Sequence, residues 1–434
     1  MDRQRWEWLG ISPNLGKPAF AVSEAYLKLG GNPQTFTCAP YSLQHAVHPQ
    51  PKYGEHIAWG ESNAVVFANS VIGAKTIKYP DYLDICAALV GRVPEYGMHK
   101  NESRQPTILL DVSTLTREVL PFLFSSETEN HCEIEVDAFY PLLGYVCGTF
   151  SENRVPLVVG FESCRITTDQ LKSFSAAFGT TGSAALFHIA GITPEAKLNN
   201  NWESKRSTLP HKHITLVDIQ NAFQSLDCRG IGVDTETSSD SNAIDLVAFG
   251  NPHLSLTECF DLAKMVTSLQ TPEVGDIRQQ KENLIRKKHP GVKVVATLGR
   301  SVFEEATMNG YIEPMSRFGF EFINDTCWCM LTEPVVPVDP GATIMTNSGK
   351  YAHYAPALVS KRVRFGSMAA CLKAAQTGTI SSSAPRWLLN TTSSTMYPSS
   401  GQQRGFSVAC PKNQSVIERR YQNAIRLFCR IISL

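Results

Sequence analysis

Residues 243–269 read AIDLVAFGNPHLSLTECFDLAKMVTSL, and this stretch contains the features that decide the fold. It opens with a short apolar run that includes β-branched residues, which is typical of a buried parallel strand. The polar cluster GNPH at 250–253 follows, and residues 255–269 are predicted to form a helix. The stretch therefore predicts a strand, a polar connection and a helix in succession.

The same alternation extends in both directions. Further strands are predicted at 107–112, 155–161, 292–299 and 342–348, and further helices at 167–179 and 301–319. Thr167 is placed as an N-cap, and Gly179 as the end of the helix that Thr167 opens. Strands that alternate with helices indicate an α/β fold built of several layers.

The chain has 434 residues, which is too long for one ordinary domain. The pattern predicts a large domain over residues 1–389 with α/β sub-domains of about 1–150, 151–240 and 241–389. Residues 390–434 are rich in Ser, Thr and Gly at their start, and this composition predicts a divergent, disordered tail.

Composition excludes several classes of partner. Lys+Arg and Asp+Glu both total 40, so no net basic field attracts nucleic acid or an anionic membrane. The basic run at 278–288 is interrupted by acidic and apolar residues and is interpreted as a solvated helix face. No apolar run is long enough to span a membrane, and the polar start is unlike a signal peptide. Twelve cysteines at irregular spacing predict a reducing, cytoplasmic setting.

Polar clusters follow three of the predicted strands, at 250–253 (GNPH), 299–301 (GRS) and 347–350 (NSGK). In open α/β sheets, ligands bind beyond the carboxyl ends of the strands, where helices begin. These clusters are therefore predicted to face a common site. Lys350 in the last cluster is either a point charge for a substrate carboxylate or phosphate, or an exposed loop lysine.

Two segments carry cysteines in unusual contexts. TCAPY at 37–41 places Cys38 on a predicted loop, where it could present a thiolate to a metal or be a buried thiol. NDTCWCM at 324–330 spaces Cys327 and Cys329 too closely for a structural zinc motif. Single cysteines far apart in sequence can instead assemble an iron site, although spacing alone does not establish one.

Two further segments combine small and polar residues. Residues 54–74 place polar side chains among Gly and Ala, which predicts either substrate contacts or a satisfied core network. Residues 180–196 are interpreted as a helix start whose amides could hold an anion, with Ser183 within it. His188 on the following apolar run is interpreted as a core histidine rather than a ligand.

In this order, the motifs resemble the catalytic large subunit of aconitase X over residues 1–389. The matching stretches are TCAPY, GEHIAWGESNAVVFANSVIGA, GRVPEYGMH, TTGSAALFHIAGITPEA, GNPHLSLTEC, NDTC, TNSGKYAHYAP and VRFGS. The resemblance implies an aconitase-like architecture, with α/β layers around an inter-domain iron or iron–sulfur site. It also implies a hydro-lyase that removes water from a small hydroxylated acid, either cis-3-hydroxy-L-proline or mevalonate 5-phosphate.

The resemblance assigns roles residue by residue. Cys38 and Cys327 match iron ligands, and Asn251 stands at the position of the third. Expected substrate contacts are Glu61, Ser62, Asn69, Ser348 and Lys350. Expected catalytic groups are His56, Ser183 and Arg300.

Three departures from the family pattern qualify this expectation. A cluster-binding member has cysteine where this chain has Asn251, and an amide is a poor cluster ligand compared with a thiolate. The site could hold a smaller iron centre, use another ligand such as Cys259, or hold no iron, and the change favours the hydroxyproline branch. The resemblance also implies a family segment before the position of Met1 and a loop with the catalytic serine, and neither is in this sequence. We therefore expect a large domain truncated at its N-terminus and a small swivelling-domain subunit as partner.

Two alternatives remain open at this point. The departures also fit a degenerate, non-catalytic member or fragment. The same chemistry would serve a mevalonate 5-phosphate dehydratase or a dehydratase that tailors a specialised metabolite.

Overall fold

The computed structural model describes residues 2, 5–33, 36–43, 50–80, 82–123, 135–162, 164–199, 202, 206–227, 242–270, 287–380 and 382–390. The predicted tail at 391–434 and most of the basic run at 278–288 lie outside these residues. Within the described ranges, no helix is both long and apolar enough to cross a membrane.

The first sheet is formed by four short parallel strands among the described residues. In chain order they are β1 Ile108–Asp111, β2 Pro156–Val159, β3 His188–Ile189 and β4 His211–His213. The spatial order is β3-β2-β1-β4, so among the strands that the structure describes β4 pairs only with β1 and lies at an edge. The inner strands β1 and β2 are almost fully buried, as their apolar sequences predict.

The second sheet has five parallel strands in the described part of the chain. They are β5 Leu246–Leu254, β6 Lys293–Leu298, β7 Phe320–Asn324, β8 Thr343–Thr346 and β9 Arg362–Phe365. Their spatial order is β7-β6-β5-β8-β9, which places β5, the strand of the opening stretch, at the centre. All nine residues of β5 are buried.

The helices connect and cover these strands. They are α1 Pro13–Lys28, α2 Ser62–Phe67, α3 Leu83–Val90, α4 Ser113–Leu123, α5 Val136–Ser151, α6 Thr168–Thr181, α7 Pro194–Leu198, α8 Leu216–Leu226, α9 Leu256–Gln270, α10 Arg300–Met308, α11 Ile312–Phe318, α12 Gly349–Val359, α13 Met368–Thr377 and α14 Arg386–Asn390. A π-helical turn, Ala68–Ile72, continues α2. One apolar core joins strands of both sheets to α5, α6, α8 and α12.

The α/β prediction is confirmed, and all five predicted strands are present. The capping box that Thr167 makes with Gln170 confirms the start of α6. Its predicted end was wrong, because the helix continues through Gly179 to Thr181. A glycine fits there since α2 packs closely, and a Cβ on Gly179 would lie 3.3 Å from Val66 Cγ2.

Two other predictions need correction. Residues 301–319 form two helices, α10 and α11, because Gly310 adopts a left-handed φ of +76° between them. The GNPH cluster is not a loop: β5 runs through it to Leu254, with an irregularity in its pairing to β6 between Phe249 and Leu254. The polar groups of this cluster therefore lie within the sheet rather than beyond it.

Arg104 anchors the segment that precedes the first sheet. Its guanidinium is 2% exposed and donates from Nε to Glu195 Oε1 at 2.6 Å. It also donates to the side-chain and main-chain oxygens of Asn69, at 3.0 and 2.9 Å, and to the carbonyl of Met98 at 3.0 Å. A buried charge needs several partners to offset the loss of its hydration, and the Arg104 guanidinium has them.

We expect Arg104→Met to lower the free energy of unfolding by about 3–5 kcal/mol, because it leaves the Glu195 carboxylate buried without its partner. The exposed pair Arg317–Glu313 offers a control, since Glu313→Gln should cost less than about 1 kcal/mol. Urea unfolding followed by circular dichroism measures both. Equal urea midpoints for the two variants would contradict the anchoring role of Arg104.

Candidate functional site

Two cysteines from distant segments meet beside the second sheet. Cys38 is buried in the turn before Pro40–Ser42, and Cys327 caps the short turn Trp328–Met330 that follows β7. The pKa of Cys327 is lowered well below its ordinary value, because the thiols of Cys329 and then Cys38 donate hydrogen bonds to its sulfur. The pKa of Cys38 is raised by this contact with Cys327 and by burial. Within the pair, Cys327 is therefore the thiol that loses its proton more readily.

His253 connects the two cysteine-bearing turns. Its backbone N–H donates to Cys38 Sγ at 3.3 Å. Its ring bridges Thr37 Oγ1, 2.9 Å from Nδ1, and the carbonyl of Thr326, 3.0 Å from Nε2. Burial lowers the pKa of His253 to about 4, so the ring is neutral. Sequence reasoning did not single out this residue, although it is the histidine of the GNPH cluster.

Glu61 and Lys350 form an ion pair next to the thiols. Glu61 caps α2 by accepting from Ala64 N at 3.0 Å, and its other oxygen accepts from Lys350 Nζ at 2.7 Å. Lys350 is 6% exposed, so the interpretation as an exposed loop lysine was wrong. Burial lowers the pKa of Lys350, but Glu61 and then Cys327 raise it more, and the net shift is upward. The ammonium is therefore charged and faces both anions.

Asn251 lies in β5 at the wall of a small cleft. It is 5% exposed, and neither atom of its side-chain amide has a hydrogen-bond partner among the described residues. Ser348, the N-cap of α12, accepts from Tyr351 N at 3.1 Å and donates its hydroxyl proton to the Asn251 carbonyl. Lys350 and Ser348 line the same cleft. The buried, unpaired amide marks a place where a bound group would supply partners.

A second buried ion pair, Lys172–Glu258, forms another part of the cleft wall. Glu258 also accepts from Ser255 N at 2.8 Å at the start of α9. Burial raises the pKa of Glu258 to about 7, although Lys172 opposes this. Lys78 lies on the segment before α3, and burial lowers the pKa of this lysine, although the nearby Glu61 partly offsets the effect. Sequence reasoning missed these groups, because no local motif pairs α6 with α9.

Three family models match successive parts of the chain and together cover most of its length. The models of the aconitase X first, second and third domains match residues 1–102, 121–224 and 244–377. A phosphomevalonate dehydratase large subunit of Thermococcus kodakarensis is 31% identical, over 77% of this chain and 70% of its own. The chain belongs to the aconitase X family.

Two other relatives resemble this aconitase X chain more strongly in sequence. The cis-3-hydroxy-L-proline dehydratases of Hypocrea jecorina and Pseudomonas aeruginosa are 39% and 40% identical to it, each over 89% of the chain. The chain spans only 57% and 58% of their lengths. The holo-form crystal structure of Thermococcus kodakaraensis aconitase X superposes with a TM-score of 0.60, at 29% identity, over 81% of this chain and 75% of that one. This likeness confirms the aconitase-like fold.

The aconitase X chain brings Cys38, Cys327, Glu61 and Lys350 together, and Ser62 stands next to Glu61 at the start of α2. Asn69 lies elsewhere, in the Arg104 network. Its amide donates to the carbonyls of Thr76 at 3.0 Å and Ala185 at 2.9 Å. Its predicted substrate contact stays a prediction, since the structure uses this amide to hold backbone.

The three expected catalytic groups occupy different surroundings. His56 Nδ1 lies 3.0 Å from His99 Nδ1, and His99 Nε2 lies 2.7 Å from Tyr79 Oη. Ser183 is exposed and follows the end of α6, so the predicted helix start at this segment was wrong. Their catalytic roles stay predictions.

Arg300 holds the turn that leads to Cys327. Its backbone N–H donates to Asp325 Oδ1 at 2.8 Å, and its guanidinium reaches Asp325 Oδ2 at 3.1 Å and Asp2 Oδ1 at 3.0 Å. Asp325 adopts a φ of +56°, which the two bonds from Arg300 help to stabilise. In the structure Arg300 thus positions this turn, and its expected catalytic role stays a prediction.

Two interpretations of single residues can also be compared with the structure. His188 is buried and its Nε2 lies 2.8 Å from the Arg104 carbonyl, which confirms a core histidine. Cys259, the suggested substitute ligand, packs in the apolar core around the second sheet, and burial raises its pKa to about 12. An inert core thiol of this kind is a poor metal ligand.

The donors at this site fit an iron centre. Cys38 and Cys327, in contact with each other, offer two sulfur ligands of the kind that iron accepts, and the amide of Asn251, which has no partner among the described residues, lies two residues before His253, whose N–H donates to Cys38 Sγ. Asn251 offers an oxygen at best, so the two sulfur atoms dominate the set.

Proposed function

We propose that this chain is the iron-bearing catalytic part of a hydro-lyase that removes water from cis-3-hydroxy-L-proline. The observation that carries the proposal is the contact between the buried Cys38 and the partly buried Cys327, next to the Glu61–Lys350 ion pair. The named activity of the two dehydratases at 39% and 40% identity supports this substrate over a phosphorylated acid.

The chain's own residues account for substrate binding. In the free site the Lys350 ammonium neutralises Glu61, and a substrate carboxylate competes for the same cation. Ser348, whose hydroxyl is held between the Asn251 carbonyl and Tyr351 N, fixes the start of α12, the helix on which Lys350 lies. The carboxylate is thereby oriented at the helix N-terminus, where the backbone dipole also favours an anion.

The reaction needs a leaving hydroxyl, a base and a place for one proton. The C2–H proton goes to a base, the C3–O bond breaks, and the released hydroxide takes a proton to become water, leaving a pyrroline carboxylate. Iron held by Cys38 and Cys327 would supply the Lewis acidity that weakens the C3–O bond. Lys350 stabilises the carboxylate next to C2, which makes that proton easier to remove.

We infer that a small swivelling domain completes the site and contributes the catalytic serine of the family. A reducing, cytoplasmic setting is part of this proposal, because Cys327 must stay a thiolate rather than form a disulfide with Cys38. The described cysteines of the chain are all free thiols.

The activity test combines the chain, reconstituted anaerobically with iron and sulfide, with the small domain of a hydroxyproline dehydratase. We expect a pyrroline carboxylate to form from cis-3-hydroxy-L-proline, with mevalonate 5-phosphate and the trans isomer as controls. Product from mevalonate 5-phosphate alone would overturn the substrate assignment. Iron retention without any product would favour the non-catalytic alternative that Asn251 raised.

Replacing Asn251 tests its place in the ligand set. We expect Asn251→Cys to slow iron loss to a chelator by about tenfold or more, because it adds a third thiolate at a buried position. Asn251→Ala is the matched control and should hold iron no better than the parent. If Asn251→Cys lost iron as fast as Asn251→Ala, residue 251 would not face the iron.

A further inference from the structure

A second group of metal-ligating side chains lies at the edge of the first sheet. Asp111 ends β1, and His211 and His213 belong to the neighbouring edge strand β4. One ligand atom from each of the three lies within 4.8 Å of the other two. This is the one such group of His, Cys, Asp and Glu residues found in the described part of the chain.

The strand register explains why these side chains converge. Asp111 is the direct partner of His213, so their side chains project from the same face of the sheet. His211 lies two residues before His213 and shares that face. Lys212 between them points the other way, and its ammonium stacks on the Phe150 ring at 4.8 Å, so no cation of this strand enters the group.

The distances suit a tetrahedral ion better than hydrogen bonds. Asp111 Oδ2 lies 3.4 Å from His213 Nδ1 and 3.7 Å from His211 Nε2. Ligand bonds of about 2.0–2.2 Å place neighbouring donors of a tetrahedral site roughly 3.3–3.6 Å apart. The other oxygen of the Asp111 carboxylate, Oδ1, accepts from Ser113 N at 2.8 Å, and this bond helps to orient the carboxylate. Such an outer contact is typical of metal-ligating carboxylates.

We propose that Asp111, His211 and His213 bind a divalent transition-metal ion of the zinc class, with water in the remaining position. Two imidazoles and one carboxylate suit Zn²⁺, Co²⁺ or Ni²⁺ rather than Mg²⁺ or Ca²⁺. The site is open, since the His213 side chain is 68% exposed and that of Asp111 is 22% exposed. A bound ion would tie the edge strand β4 to β1, which links metal binding to the stability of this sheet.

Zinc binding to the full chain, measured by isothermal titration calorimetry, tests the proposal. We expect one zinc-binding event to survive in Cys327→Ala, which separates it from the thiol site. His213→Ala and Asp111→Asn should weaken that event by about tenfold or more. Lys212→Ala is the matched control, because it changes the same strand on the opposite face and should bind zinc as the parent does.

His213→Ala and Lys212→Ala both alter the edge strand β4, and circular dichroism checks that the two proteins fold. Zinc should also raise the unfolding temperature of the parent and of Lys212→Ala, but not that of His213→Ala. Equal zinc affinity in His213→Ala and Lys212→Ala would overturn the proposal and leave an Asp–His ion pair. Loss of all zinc binding in Cys327→Ala would overturn it as well.

Discussion

Cys327→Ala should lower kcat/KM for cis-3-hydroxy-L-proline by about a thousandfold or more in the assembled enzyme. Hydrogen bonds from Cys329 and Cys38 lower the pKa of Cys327, so this substitution removes the sulfur that most readily becomes a thiolate ligand for iron. A Lewis acid lowers the activation barrier by several kcal/mol, and this stabilisation is lost with the iron. Removing about 4 kcal/mol corresponds to about a thousandfold in rate.

Cys86→Ala is the control for this variant, because Cys86 is an exposed thiol on α3. It should leave both iron content and turnover unchanged. Steady-state kinetics and iron analysis on the same preparations are the measurements. Turnover within tenfold of the parent in an iron-free Cys327→Ala preparation would show that the thiolate is not required.

Lys350→Met should reduce kcat/KM by about a hundredfold or more. The change keeps the length of the side chain but leaves Glu61 and Cys327 without their shared cation. Charge-assisted bonds to a carboxylate are worth about 1.5–3 kcal/mol, and the partly exposed Glu61 loses its partner too. The loss should appear in KM, because the substrate carboxylate binds more weakly, and in kcat, because the C2 proton becomes harder to remove.

Lys361→Met is a matched control for Lys350→Met. Lys361 is also buried, but its ammonium donates to the carbonyls of Val338 at 3.1 Å and Asp339 at 2.9 Å. It should destabilise the protein without changing KM. An unchanged KM and kcat in folded Lys350→Met would show that Lys350 does not bind the substrate carboxylate.

The sequence sufficed for features that depend on local pattern. The stretch at 243–269 predicts β5 and α9 because burial on both faces of a parallel strand requires a continuous apolar run. Motif resemblance identified Cys38, Cys327, Glu61 and Lys350, which the structure brings together. The two cysteines carry no signal in their spacing, so residue patterns alone would not have paired them.

What could not be predicted depends on tertiary contacts. The Lys172–Glu258 pair joins two helices, and the clamp by His253 joins three separate segments. Strand β7 at Phe320–Asn324 was not predicted. The single helix predicted over 301–319 is two shorter ones, which end next to Gly310 and Gly319, at φ of +76° and +117°. In the structure Asn69 and Arg300 form hydrogen bonds that hold the backbone of neighbouring segments. The matching motifs alone do not predict this role.

The most direct test of the account is the iron content of the purified chain. Parent and Cys38→Ala/Cys327→Ala proteins would be reconstituted anaerobically with iron and sulfide, desalted, and assayed for both elements per chain. The parent should retain at least one iron and the double variant almost none, with both folded by circular dichroism. Equal iron in the two proteins, or none in the parent, would contradict the proposal that this site is an iron centre.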